Sequence, residues 1–328
     1  MKAVIVKAFG GAEEMEYTDV EIPKISSRQV LIRAEKSSVN FADIKARRGN
    51  KGKGTLPFIP GLDLAGTIVE VGTEVQHFKK GQRVIAFPAG GSYCEYAAAD
   101  EQLTFLLPDN IDFETAAACP TVAFLAYKLL ANIARMERGE TVLVHSAAGG
   151  VGSTAIQFAK ALGAGMVIGT VGNRAKAQTA LDAGADYVLS YEQNDRFAEQ
   201  VKEWTDGKGA DIILDSLAGT ITEKSLDCLA LYGRLVQFGN SSGKSGNFTT
   251  NDVHSSCRSV LGFSLGTTRK ERPHVLQETA KQVFRYLETG QVKMEIGKIF
   301  DLKDAADAHR WVESRQSTGK VLLQIAEL

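Results

Sequence analysis

The stretch from Thr141 to Gly163 limits what this chain can fold into more than any other. Thr141-Val142-Leu143-Val144 reads as a buried strand and His145-Ser146-Ala147-Ala148-Gly149-Gly150-Val151-Gly152 as a turn. Val151, Ala155, Ile156, Ala159 and Leu162 then recur at helical spacing, with Gly163 as a C-cap. A strand that passes through a glycine-rich turn into a helix reads as the phosphate-binding corner of a dinucleotide fold; the alternative, a tight structural turn, is disfavoured by the run of β-α units around it. Positions without side chains let the backbone approach a pyrophosphate, whose charge meets amide N–H groups and the helix dipole. Ala147 stands at the first position of the Gly-x-Gly-x-x-Gly pattern, and Gly149 and Gly152 at the other two.

The rest of the chain supplies the context that such a turn needs. After Glu140, short apolar runs alternate with amphipathic ones: strands at Val167-Ile168, Tyr187 to Leu189, Ile212 to Leu214, Leu235 to Phe238 and Val260 to Phe263, with a helix over Lys176 to Ala183. That alternation predicts a parallel sheet of β-α-β units. Before Leu107, β-branched runs at Val4 to Lys7, Val30 to Ala34, Leu64 to Val71 and Arg83 to Phe87 predict a compact, largely antiparallel domain. A helix from about Pro273 to Leu287 and a strand at Val321 to Leu323 have no partners of their own, and are expected to pack back onto the N-terminal domain. The expected division is 1–120, 121–264 and 265–328, a nucleotide domain inserted into a discontinuous one. With 328 residues, 44% of them hydrophobic, either part can bury a core without disulfide or metal staples.

The end of the second parallel strand bears on the cofactor. Folds that bind NAD place an acid there, about 20 residues beyond the first glycine, to hold the ribose 2′-hydroxyl. This chain has Gly169-Thr170-Val171-Gly172-Asn173-Arg174-Ala175-Lys176 and no carboxylate. Arg174 or Lys176 would attract a 2′-phosphate; alternatively both are solvated charges at a helix start. NADPH is therefore expected over NADH. Cys94, Cys119, Cys228 and Cys257 are scattered without metal-like spacing, and His145 reads as a structural hydrogen-bonding residue, so no metal site is expected. A net charge of -1 argues against nucleic acid as the partner. The N-terminus reads as a strand rather than a secretory signal, and the apolar stretch Ala116 to Tyr127 is too short to span a bilayer. A cytoplasmic protein without membrane contact is expected.

Gly61-Leu62-Asp63-Leu64-Ala65-Gly66, Ala147-Ala148-Gly149-Gly150-Val151-Gly152 and Phe238-Gly239-Asn240-Ser241-Ser242-Gly243 together resemble the zinc-free NADPH:quinone oxidoreductases. These are the ζ-crystallin-like branch of the medium-chain dehydrogenase/reductase superfamily, and the likeness runs from Met1 to Lys320. It implies an α/β protein with a GroES-like β-rich catalytic domain, an inserted Rossmann doubly wound parallel sheet, a cleft between them and a homodimer. By that resemblance Gly150 and Val151 lie over the pyrophosphate, Lys176 meets the 2′-phosphate and Tyr191 lies beside the adenosine end. Phe238, Gly239 and Asn240 line the nicotinamide half, while Arg315, Gly319 and Lys320 close over the cofactor; the alternative for Arg315 and Lys320 is surface charge, and Tyr191 reads equally as an amphipathic rim residue. Zinc-dependent relatives carry a Cys within the segment equivalent to Val39 to Asp43, and Gly-His-Glu where this chain has Gly61-Leu62-Asp63; both ligands are missing here.

Asn40 and Asp43 are the polar groups that the resemblance puts near the nicotinamide, as partners of water or of the substrate oxygen; equally, they are a pair that organises a helix start. The substrate pocket is expected to draw on the loop Arg47 to Thr55. Without a Lewis acid, an acceptor must spread the incoming charge itself, which favours a quinone and then an α,β-unsaturated aldehyde or ketone. The remaining alternative is an NADPH-binding structural or RNA-binding protein. A homodimer is expected through the apolar edge strand Ser259 to Leu265.

Overall fold

The computed structural model describes residues 1–50, 55–192 and 196–325, which form two compact units. Unit 1 comprises Met1–Phe124, Arg269–Gly290 and Met294–Leu328; unit 2 comprises Leu125–Thr268 and Gln291–Lys293.

In unit 1, β1 (Lys2–Val6) and β2 (Met15–Asp19) form an antiparallel pair. β3 (Gln29–Val39) is the hub of a larger sheet with β4 (Asp63–Val71), β5 (Arg83–Ala86), β6 (Tyr96–Asp100) and β7 (Thr104–Leu106). Helix α1 (Phe41–Arg47) follows β3; α2 (Phe113–Ala118) follows β7, and Pro120 opens α3 (Pro120–Tyr127), where its missing N–H costs nothing. Val30, Ile32 and Ala34 of β3 alternate inward against Leu64, Ile68, Val84 and Ala97, which makes one core.

Unit 2 contains β8 (Thr141–Val144), α4 (Gly150–Leu162), β9 (Met166–Val171), α5 (Ala177–Asp182), β10 (Tyr187–Ser190), α6 (Phe197–Trp204) and β11 (Ala210–Asp215). It continues with α7 (Thr220–Asp227), β12 (Leu229–Gln237), α8 (Thr250–His254) and β13 (Ser259–Gly262), then α9 (Leu265–Glu271), which crosses into unit 1. The strands form one parallel sheet in the order β10-β9-β8-β11-β12-β13. Counted from β8 this is 3-2-1-4-5-6, the doubly wound dinucleotide order, with the chain reversing direction across the sheet beside β8. Leu143, Ile168, Ile213 and Leu235 are buried in its core with Leu226 and Val201 of the helices.

Unit 1 resumes with α10 (Val275–Glu288), β14 (Ile296–Asp301), α11 (Ala305–Glu313) and β15 (Lys320–Gln324). β15 pairs antiparallel with β3, as its apolar run suggested. Two expectations need correction. The terminal strand has a partner of its own, because β14 pairs with it in parallel; Gly297 and Lys298 mask β14 in the sequence, and its residues are half-buried or exposed. The edge strand ends at Gly262 rather than Leu265, since Leu265 already starts α9.

Candidate functional site

In unit 2 the turn after β8 is built from backbone. Ser146 takes a left-handed φ of 56°, and the Ala147 N–H donates to Thr170 O at 2.9 Å, tying the turn to β9. Gly149 is the extended N-cap of α4, so the N–H groups of Gly150, Val151 and Gly152 have no acceptor within the helix. A Cβ on Gly152 would lie 2.3 Å from Ser146 O and 2.7 Å from Ala147 Cα, so only glycine lets the turn close here. Ala147, in place of the first glycine, is accommodated on the other side: a Cβ at Gly169 would meet its methyl at 2.8 Å. Three free donors at the positive end of a four-turn helix suit a pyrophosphate, so this unit fits a dinucleotide.

His145 lies under the turn and is fully buried. Its Nε2 is 2.9 Å from Ser225 Oγ, which itself donates to Ile221 O at 2.6 Å. The hydroxyl must therefore accept from the ring, and the proton sits on Nε2. Nδ1 is left to accept one proton from the pair Thr170 Oγ1, at 2.9 Å, and Tyr191 hydroxyl, at 2.5 Å, which lie 2.7 Å from each other. Burial pulls the His145 pKa down to about 4. Tyr191, at the end of β10, is thereby fastened by its hydroxyl, with its ring edge-on to Phe197 at 5.7 Å.

Arg174 and Lys176 form a single 3-10 turn beyond β9, where Asn173 Oδ1 accepts from Ala175 N at 2.7 Å. Arg174 is exposed and Lys176 half-buried. The spacing argument does not reveal Glu192, whose carboxylate reaches the Arg174 N–H at 3.4 Å, so this corner carries one acid beside two cations. Phe238 and Gly239 follow β12, and a Cβ on Gly239 would lie 2.8 Å from Ser216 O; Asn240 beside them is exposed. Sequence reasoning passed over Asp215. It is fully buried and accepts from Leu217 N, Ala218 N and Thr222 Oγ1, which shapes the loop after β11.

In unit 1, Asn40 caps α1 and its N–H donates to Asp43 Oδ2 at 2.8 Å, so the helix-start arrangement is realised. More is attached to it. Asn40 Nδ2 donates to Asp63 Oδ2 at 2.8 Å, and Lys320 Nζ donates to Asn40 Oδ1 at 2.7 Å while lying 3.4 Å from Asp63 Oδ2. Asp63 also accepts from Ser38 Oγ at 2.8 Å and, on Oδ1, from Thr121 N at 3.0 Å and Thr121 Oγ1 at 2.6 Å. Asn40, Asp43, Asp63 and Lys320 are all buried. Lys320 is thus an interior ammonium, whereas Arg315 is exposed at φ 59°. Gly319, at φ 60°, passes against Glu295 O, which leaves no room for a Cβ.

A second chain of contacts holds Asp43. Tyr93 OH lies 3.5 Å from Asp43 Oδ2 and 3.1 Å from His309 Nε2, while Arg47 NH1 lies 3.2 Å from His309 Nδ1. Arginine only donates, so His309 Nδ1 accepts, Nε2–H donates to Tyr93, and Tyr93 donates to Asp43. Burial first, then the Arg47 charge, pulls the His309 pKa down to about 3. Arg47 is closed off by Glu313 at 2.6 Å and Gly10 O at 3.2 Å. Of the loop Arg47 to Thr55, residues 51–54 lie outside the described residues.

Known proteins were compared with this arrangement. Residues 26–109 match the family described as alcohol dehydrogenase GroES-like domain, and residues 150–281 the family described as zinc-binding dehydrogenase. Among the described residues, no group of three or more His, Cys, Asp or Glu is placed to hold a metal ion. A quinone oxidoreductase of Pseudomonas aeruginosa is 38% identical, the match covering 98% of this chain and 99% of that protein. The quinone oxidoreductase of Homo sapiens is 34% identical over 98% of this chain and 97% of its own. Among solved structures, Escherichia coli quinone oxidoreductase complexed with NADPH superposes with a TM-score of 0.91 at 34% identity, covering 99% of this chain and 100% of that one. The chain belongs to the zinc-free quinone oxidoreductases, the ζ-crystallin-like branch of the medium-chain dehydrogenase/reductase superfamily.

Proposed function

We propose that this protein catalyses the NADPH-dependent reduction of quinones by hydride transfer, without zinc. The observation that carries the reading is the cradle at the N-terminus of α4, where three backbone donors and a glycine that tolerates no Cβ are ready for a pyrophosphate. Its support is the kinship with quinone oxidoreductases, one of them solved with NADPH.

Bound NADPH supplies the hydride. The chain's own residues bind and orient. Gly150, Val151 and Gly152 donate to the pyrophosphate, and Lys176 with Arg174 meets the 2′-phosphate. Asn40 receives its orientation from Asp63 on one side and Lys320 on the other. An amide has two donors and two lone pairs; Oδ1 accepts from Lys320 and from the Asp43 N–H, and Nδ2 spends one donor on Asp63, so Asn40 retains one N–H for the acceptor oxygen or its water. Catalysis then rests on orientation and proximity. The protein works in the cytoplasm as a homodimer joined through β13, where the buried thiols of Cys94, Cys119 and Cys228 stay reduced. No helix among the described residues is long and apolar enough to cross a membrane.

NADPH oxidation across acceptor classes tests the reading. Quinones should turn over fastest, activated enones more slowly, and saturated aldehydes and ketones near background. Turnover of a saturated ketone with quinones inert would sink it.

A further inference from the structure

Hydride arriving at a quinone places a negative charge on an oxygen, and the residues assigned so far offer that oxygen only a neutral amide. Arg269, in the last turn of α9 and the first residue of its segment of unit 1, changes that position. Its guanidinium lies 4.8 Å from the ring centroid of Phe87. Phe87 is itself immobilised, edge-on to Phe124 at 5.7 Å and to Phe105 at 6.1 Å. A cation–π contact with a fixed ring restrains the position of the guanidinium and so of its N–H donors.

Those donors are unspent. Nε is buried without a partner, and Arg269 makes no hydrogen bond or ion pair among the described residues. The nearby acids do not claim it: Asp63 uses both oxygens on Ser38, Asn40, Lys320 and Thr121, and Asp43 Oδ2 serves the Asn40 N–H. Burial lowers the pKa of Arg269, while the charges of Asp63 and Asp43 act through space in the opposite direction. An arginine remains a cation at neutral pH under such conditions. Arg269 is half-buried, yet a buried, unsatisfied Nε on a cation is costly to keep, and the ordinary structural solution, a carboxylate on the guanidinium, is not adopted.

We propose that Arg269 is a catalytic residue of unit 1 that donates hydrogen bonds to the acceptor oxygen on which negative charge develops, which suits a planar quinone leaving as a hydroquinone monoanion. The inference rests on the proposed quinone reduction. NADPH is oxidised to NADP⁺; its hydride brings both electrons and forms the new bond to the quinone, and a proton from solvent then neutralises the monoanion. Arg269 transfers no proton. It stabilises the anion formed between the two events, a charge that grows along the reaction coordinate, so the contact lowers the barrier and not merely KM.

The test uses the full-length protein with Arg269→Met, which keeps the length and apolar contact with Phe87, and Arg269→Lys, which restores charge alone. Arg269→Met should lower kcat for quinones about 50-fold, with NADPH affinity, read by fluorescence titration, changed less than twofold. The loss should grow as the hydroquinone becomes a weaker acid, and Arg269→Lys should recover part of it. A loss of less than threefold, one equal for all acceptors, or one matched by NADPH affinity would overturn the proposal. A second arm needs no turnover. Bound to the cofactor-free protein, 4-nitrophenol should ionise about one pH unit lower than in solution, a shift that Arg269→Met erases. No shift in the unaltered protein counts against Arg269 even if quinones are reduced, whereas inert quinones with the shift intact refute the quinone reading alone.

Discussion

Lys320 carries a charge into the interior of unit 1, and its consequences are measurable. Lys320→Met would leave Asp63 a buried carboxylate with neutral donors only, and would take the ammonium from Asn40 Oδ1. Removing one partner of a buried ion pair costs about 3–5 kcal/mol, so urea unfolding should show a loss on that order. The exposed pair Lys2–Asp19 is the control, and Lys2→Met should leave stability unmoved. A loss confined to kinetics, with stability intact, would mean that the Lys320–Asp63 contact contributes nothing to the fold. Asn40 and Asp43 were legible in the sequence as polar residues where the resemblance required them. The residues that hold them were not. Asp63 heads an otherwise apolar strand, an acid where β4 needs none for its core, and that signal was available in Asp63-Leu64-Ala65-Gly66. Nothing local ties Asp63 to Thr121 or Lys320, or His309 to Tyr93, because the contacts join residues 58 to 257 positions apart.

At the scale of elements, the parallel strands of unit 2 were readable because strands buried on both faces appear as unbroken apolar runs bounded by turns. β14 escaped notice because it is exposed, and its pairing depends on β15, about 20 residues away along the chain. β13 lies at one end of the sheet, with β12 as its only neighbour there. Val260 and Leu261 are only partly covered in the single chain. An apolar edge strand with free N–H and C=O groups is a pairing template, and a two-fold axis lets the same strand of a second copy satisfy it. Sedimentation at micromolar concentration should therefore report a dimer, and Leu261→Lys should shift it toward monomer while the 3-2-1-4-5-6 sheet persists by far-ultraviolet circular dichroism. A chain that sediments as monomer before any substitution removes this role from β13.

For the whole molecule, acidity should act through two buried histidines, one in each unit. His145 is held near 4 by burial and His309 near 3 by burial and the Arg47 charge, while an unfolded histidine titrates near 6.5. A depressed folded pKa means that the unfolded chain binds the proton first. Each ring therefore contributes its full stability above about pH 6.5 and loses it progressively as pH falls toward 4 for His145 and toward 3 for His309. Between pH 7.5 and 5 each loss is about 2 kcal/mol, at 1.36 kcal/mol per pH unit below the unfolded value. Neither ring has to leave its site for this to happen; protons captured by the unfolded chain suffice. His145→Asn and His309→Asn should each be less stable than the unaltered protein at pH 7.5, because Ser225 and Thr170, or Tyr93 and Arg47, lose a ring that bonded to both. The deficit should shrink by about 2 kcal/mol at pH 5, where the unaltered protein has lost what the variant never had. Urea unfolding at the two pH values measures the difference directly. A deficit of equal size at both would show that the ring takes up its proton as readily in the folded protein as in the unfolded chain, so that burial does not hold it neutral.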